Sequence, residues 1–127
     1  MLALDYGSAR CGCAISDPTE TVVRPLDALE PPAPRAVADL VEREGVEEVV
    51  VGLPRTLAGE EGEQAERSRA FAADLTELLD VPVRTHDERL TTRMAERSVR
   101  EGARAHPDSV AAAHLLESYL SSRRSDD

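Results

Sequence analysis

A chain of 127 residues with 41% apolar content is sized for one domain, 1–127, around a single buried core. Aromatic residues make up only 2%, so Leu, Val and Ala must build that core, and no apolar run is long enough for a membrane-spanning helix. The net charge of -10 excludes a broadly basic, polyanion-binding surface and confines any nucleic-acid contact to a local patch.

Leu2-Ala3-Leu4-Asp5-Tyr6 reads as a strand, Gly7-Ser8-Ala9-Arg10 as a turn, and Cys11 to Ile15 as a returning strand. Ser16-Asp17-Pro18 is a second turn, and Thr21 to Leu29 a third strand with Pro25 near an edge or bend. The simplest arrangement is a three-stranded meander. Pro31, Pro32 and Pro34 then interrupt the chain, with Pro34 suited to a first helical turn. Ala33, Val37, Leu40 and Val41 form one apolar stripe, closed by Gly45 in a C-cap position. Val46 to Leu53, containing Val49-Val50-Val51, has the run of a strand buried on both faces.

Arg55 to Gly62 is a loop, and from Glu63 onward Ala65, Ser68, Phe71, Ala72, Leu75, Leu78 and Leu79 recur at helical spacing. Val81 to His86 is a further strand, entered through Pro82. Thr91 or Thr92 can cap a helix running to about Gly102, and Pro107 opens a last helix. The order βββ-α-β-α-β-α-α predicts an α/β domain with a mixed five-stranded sheet flanked by helices.

Three carboxylates fall where these elements begin or end: Asp5 on the first strand, Glu88 after the fifth, Asp108 opening the last helix. Carboxylates held together repel unless a proton or cation neutralises them, and hard divalent ions prefer all-oxygen sites. Convergence would therefore point to metal-dependent phosphodiester chemistry. Each acid also has a plainer use. Asp5 can bond the Gly7-Ser8 turn, Glu88 can pair with Arg89 on the surface, and Asp108 can cap its helix. Ala111, Ala112 and Ala113 are small enough for that helix to dock closely on a sheet, with Leu115, Leu116, Tyr119 and Leu120 as its buried stripe.

All 15 basic residues are arginines, a side chain whose fork matches phosphate. Arg89, Arg93, Arg97, Arg100 and Arg104 recur every three or four residues, in one stripe of the predicted helix after Glu88. Glu96 and Glu101 flank it. The stripe is either a phosphate-binding ridge or an ordinary solvated face. Arg10 can hold a phosphate near Asp5 or pair with Asp17 across the hairpin, and the Gly59–Gly62 loop can close over a substrate or merely connect. Cys11 and Cys13 share a strand face without further soft ligands nearby, as expected of small buried thiols in a reduced compartment. His86, His106 and His114 lack metal-ligand spacing.

LALDYGSARCGCAISDP, VVVGLP, DERLTT and DSVAAAHLLESYL, in this order and at these distances, resemble the YqgF family over nearly the whole chain. The resemblance implies a ribonuclease-H-like fold and a nuclease acting in pre-16S rRNA maturation, or a Holliday junction resolvase-like DNA endonuclease. It maps the catalytic, metal-binding acids onto Asp5, Glu88 (rather than Asp87) and Asp108, with Mg²⁺ or Mn²⁺ as cofactor. Arg10, Arg89, Arg93, Arg97 and Arg100 become the candidate substrate contacts. Two departures stand out: Ala111 occupies the place of a fourth acid in RuvC-type relatives, and Arg104-Ala105-His106-Pro107 replaces a more basic stretch.

Two rivals remain from other classes. Asp5-Tyr6-Gly7-Ser8 also resembles a phosphate loop of actin-like ATPases, which need a second lobe that this length does not supply. A non-catalytic RNA- or transcription-associated binding protein would suit the acidic total. The expected partner is nucleic acid, RNA before branched DNA, with no membrane, for a monomer or weak homodimer. Met1 leads directly into an apolar strand rather than a secretory leader, so the expected compartment is the cytoplasm.

Overall fold

A computed structural model of the chain describes residues 1–54, 62–87 and 107–125. The strands are β1 (Leu2–Tyr6), β2 (Cys11–Ser16), β3 (Val23–Leu29), β4 (Val49–Leu53) and β5 (Val83–Asp87). The helices are α1 (Pro34–Glu44), α2 (Glu63–Leu78) and α3 (Pro107–Ser125). The predicted helix from Thr91 or Thr92 to Gly102, Glu88, and the arginine stripe lie outside the described residues, as does most of the Arg55–Gly62 loop.

The five strands form one mixed sheet in the order β3-β2-β1-β4-β5. The meander β1-β2-β3 is antiparallel, while β4 and β5 join β1 in parallel. At the β1–β2 turn, the Gly7 N–H donates to the Arg10 carbonyl at 3.0 Å. A Cβ on Gly7 would meet that same oxygen at 2.9 Å, so this position tolerates no side chain.

Alternation along β1 divides the core. Leu2 and Leu4 face one side with Cys11, Cys13, Ile15, Val49 and Val51, under Val37 and Leu40 of α1 and Phe71, Ala72 and Leu75 of α2. Both cysteines are free and fully buried there, as expected. Ala3 and Val50 face the other side, against Leu115, Leu116 and Leu120 of α3. Beside them Ala14 packs on Ala112 and Ala113, the small residues expected to permit close docking. The result is three layers, with α1 and α2 on one face and α3 on the other.

Helix α1 begins at Pro34 and ends at Gly45 as expected, Gly45 taking a left-handed φ of 65° while Val46 N–H reaches back to the Val41 carbonyl at 3.0 Å. That C-cap absorbs Val46, so β4 starts at Val49 rather than Val46. Among the described residues no helix is long and apolar enough to cross a membrane.

Of the two alternatives for Arg10, the pair with Asp17 does not form: the two residues flank opposite ends of β2. Asp17 instead organises its own turn, accepting the Thr19 hydroxyl and the N–H groups of Thr21 and Val22 at 2.8 and 2.9 Å. Donors aimed at the carboxylate favour its charged form, the Thr19 hydroxyl most, and lower its pKa from 3.8 to about 2. Its contribution to folding is therefore fully present above the ordinary value near 3.8 and lost as pH falls through about 2. Carboxyl-carbon NMR should place the Asp17 midpoint near 2, and Thr19→Ala should move it upward.

Candidate functional site

The carboxyl ends of the parallel strands β1, β4 and β5 lie at one edge of the sheet, where α/β folds commonly gather ligands. Asp5 sits at that edge on the face carrying Ala3, the face α3 covers, and is half-buried. Its antiparallel partner on β2 is Gly12. On the other side Leu4 pairs with Val51, so the next step of the register sets Asp5 beside Gly52, which pairs in turn with His86 of β5. One row across the sheet thus reads Gly12, Asp5, Gly52, His86. The two positions flanking the carboxylate in this row carry no side chain of their own.

The first turn of α3 is brought to the same place. Cys13 N–H donates to Ser109 Oγ at 3.3 Å, with both residues fully buried. Cys13 adjoins Gly12, the partner of Asp5, so the backbone at Asp108 lies one residue from an anchor fixed beside the Asp5 row. Of the three predicted acids, the fold brings Asp5 and the helical turn of Asp108 to one face and one edge. Glu88 and the arginines at 89, 93, 97 and 100 fall outside the described residues. Arg10 closes the turn immediately after β1, near the Asp5 end of the hairpin.

His86, for which the sequence suggested no role, belongs to this face. Its Nε2 lies 3.0 Å from Ser118 Oγ of α3, and its ring meets Tyr119 edge-on with centroids 5.5 Å apart. Burial lowers its pKa below the usual 6.5, partly opposed by the charge of Asp87. A neutral ring is the form that suits a hydroxyl partner and an aromatic edge. The signal was present in the sequence as even-numbered alternation with Arg84, but Ser118 lies 32 residues away and no spacing rule reaches it.

A cavity of ≈ 450 Å³ opens at the opposite end of the sheet, lined among others by Met1, Asp17, Glu20, Glu48, Arg84 and Arg123. There Arg123 Nη1 reaches Glu48 Oε2 at 2.7 Å and Arg84 lies 3.5 Å from the same carboxylate. This end ties the last turns of α3 to the sheet and is remote from Asp5. Among the described residues no group of three or more His, Cys, Asp or Glu gathers as a metal cluster.

Residues 1–122 match the family described as "RuvX: Holliday junction resolvase". A protein of Chloroflexus aurantiacus named "Putative pre-16S rRNA nuclease" is 43% identical over 136 aligned positions, covering 99% of this chain and 89% of that protein. One of the same name from Rubrobacter xylanophilus is 44% identical over 124 positions, covering 93% of this chain and 89% of its own. Among solved structures, Thermus thermophilus RuvC in complex with a Holliday junction substrate superposes with a TM-score of 0.63 at 13% identity, over 98% of this chain and 96% of that one. That likeness shows the ribonuclease-H-like fold expected from the sequence.

If the His86–Ser118 contact joins β5 to α3, the two side chains should behave as one unit. His86→Ala and Ser118→Ala should each cost about 1–2 kcal/mol in urea unfolding, and the double variant clearly less than their sum. Strict additivity would show that the pair does not interact in solution.

Proposed function

The chain belongs to the RuvX family, and from that premise we propose that it is a metal-dependent nuclease that matures precursor 16S rRNA in the cytoplasm. The supporting observation is geometric: Asp5 and the first turn of α3 share one face at the carboxyl edge of the sheet, with glycines on either side of the acid. The names of relatives above 40% identity favour ribosomal RNA as the substrate.

In this reading Asp5, Glu88 and Asp108 hold a divalent cation, Mg²⁺ or Mn²⁺, which supplies Lewis acidity and a deprotonated water. An all-oxygen donor set suits either ion. Glycine at positions 12 and 52 adds no side chain between an approaching phosphate and Asp5. Arg10 meets a phosphate oxygen near that carboxylate. Arg89, Arg93, Arg97 and Arg100 bind the flanking backbone and offset the acidic total locally, each fork matching phosphate geometry. Ala111 brings no fourth carboxylate, so the three acids act without it. The working form is a monomer or weak homodimer.

A DNA reading is favoured by one observation, the family's description as a Holliday junction resolvase. Offering the wild-type chain a precursor-16S RNA duplex and a four-way DNA junction, each with Mg²⁺, separates the two. Cleavage of the RNA is expected, and cleavage confined to the junction would transfer the proposal to DNA. Binding without cleavage of either would leave a non-catalytic RNA-binding protein.

Asp5→Asn keeps the size of the side chain but removes its charge. It should lower cleavage by at least about 10³-fold, since an acid that holds the cation contributes several kcal/mol to the transition state. Its circular dichroism spectrum should match the wild type, and near-normal turnover would remove Asp5 from the mechanism. Reversing Arg97 and Arg100 together to Glu should weaken RNA binding and reduce the slope of log affinity against log salt by roughly 2. An unchanged slope would make the stripe plain surface.

A further inference from the structure

Ser109 is a buried hydroxyl in the first turns of a helix, where alanine would be the better helix former. It is fully buried, as is its partner Cys13. A polar group in that position persists only if it is hydrogen-bonded.

The partner is a backbone donor of β2. Backbone bonds from Gly7 to Arg10 and from Ser16 to Met1 fix the alternation of the β1–β2 ladder. Cys13 therefore sits at a non-hydrogen-bonded pair with Leu4, and its N–H turns away from β1 toward β3. On that side the ladder slips: Cys11 pairs with Leu29 but Cys13 with Leu26, so β3 spends one residue more than β2 over this stretch. The slip lies beside Cys13, and Ser109 Oγ accepts the Cys13 N–H at 3.3 Å.

The contact lies between Asp108, the next residue in the helix, and Gly12, the ladder partner of Asp5. The next turns of α3 are seated by apolar contacts, Ala112 and Ala113 on Ala14 and then Leu116 and Leu120 on Ala3 and Val50, and its further polar ties, Ser118 to His86 and Arg123 to Glu48, lie two turns or more along the helix. Apolar contacts set how closely a helix approaches but resist sliding weakly. A directional bond at the helix start fixes its register along the strand.

We propose that Ser109 is a positioning residue, whose hydroxyl, seated on the β2 bulge, holds the turn carrying Asp108 in register with Asp5. The assignment rests on the nuclease reading above. Ser109→Ala removes the acceptor without adding volume and frees α3 to settle elsewhere on the alanine face. A carboxylate displaced by a fraction of an ångström loses its grip on a shared cation, and such misplacement lowers rate by on the order of 10- to 100-fold. Binding of RNA, which the proposal assigns to arginine side chains, is unaffected.

The experiment compares wild type, Ser109→Ala, Ser109→Thr and Leu120→Val on the precursor-16S RNA substrate across a Mg²⁺ titration. Leu120→Val thins the buried end of the same helix and controls for lost stability. Amide exchange at Cys13 reports the bond itself. Ser109→Ala should lose Cys13 protection, reach half-maximal rate only at roughly tenfold higher Mg²⁺, and show reduced kcat at unchanged KM, while Leu120→Val keeps the wild-type Mg²⁺ response. Ser109→Thr should recover most of the difference by restoring a hydroxyl. A wild-type Mg²⁺ response in Ser109→Ala overturns the inference alone, as does an equal decline in Leu120→Val. Failure of the wild-type chain to cleave at any Mg²⁺ concentration overturns the nuclease reading and this inference with it.

Discussion

Everything at the candidate site depends on how closely α3 can approach the sheet. Ala3 and Ala14 present almost no side chain on that face, and Ala112 and Ala113 answer them from the helix. Larger residues would lift α3 away and carry the backbone at Asp108 away from Asp5. The same closeness lets a short serine side chain reach the strand backbone. The apolar weight is displaced toward the other end of α3, where Leu115, Leu116 and Leu120 fill the space over Ala3 and Val50. Small residues near the acids and large ones farther along are two halves of one packing solution, in which close approach and hydrophobic burial are separated along a single helix.

Charge is distributed to the same effect. Asp17, Glu20, Glu44, Glu47 and Glu48 line the cavity at the far end of the sheet, only partly balanced by Arg84 and Arg123. A polyanion is disfavoured at that end. Glu48 holds Arg123 more firmly protonated than usual and fastens the C-terminal turns of α3. With Ser109 at one end and Arg123 at the other, the helix is fixed to the sheet by polar contacts at both ends and by packing between.

The likeness to RuvC at 13% identity is a likeness of fold, and a fold of this kind hosts several activities. The proposed activity rests instead on the row Gly12, Asp5, Gly52, His86 and the turn of α3 set beside it. Ala111 stands where the resemblance to RuvC-type resolvases would place a fourth acid, so the proposed site would carry fewer carboxylates and less repulsion among them.

The amino-acid sequence by itself determined the elements, because each was encoded locally. The alternation of Leu2 and Leu4 with Ala3 and Asp5, the Pro34 start and Gly45 stop of α1, the apolar run of β4 and the small face of α3 are all readable within a few residues. Ordered motifs added the family and with it the fold. Locally encoded boundaries shifted by one to three residues: β3 begins at Val23 rather than Thr21, β5 at Val83 rather than Val81, and β4 at Val49 because the α1 cap takes Val46. Tertiary structure alone decided which groups meet. The Ser109–Cys13 bond spans 96 residues and the His86–Ser118 contact 32, and neither follows any helical or strand period. Arg10 and Asp17 looked like partners in the linear order yet stand at opposite ends of a strand, because six extended residues separate what seven positions in sequence appear to join. Periodicity records which face a residue occupies, but contact across faces depends on register and on the closeness of packing, which only the folded chain sets.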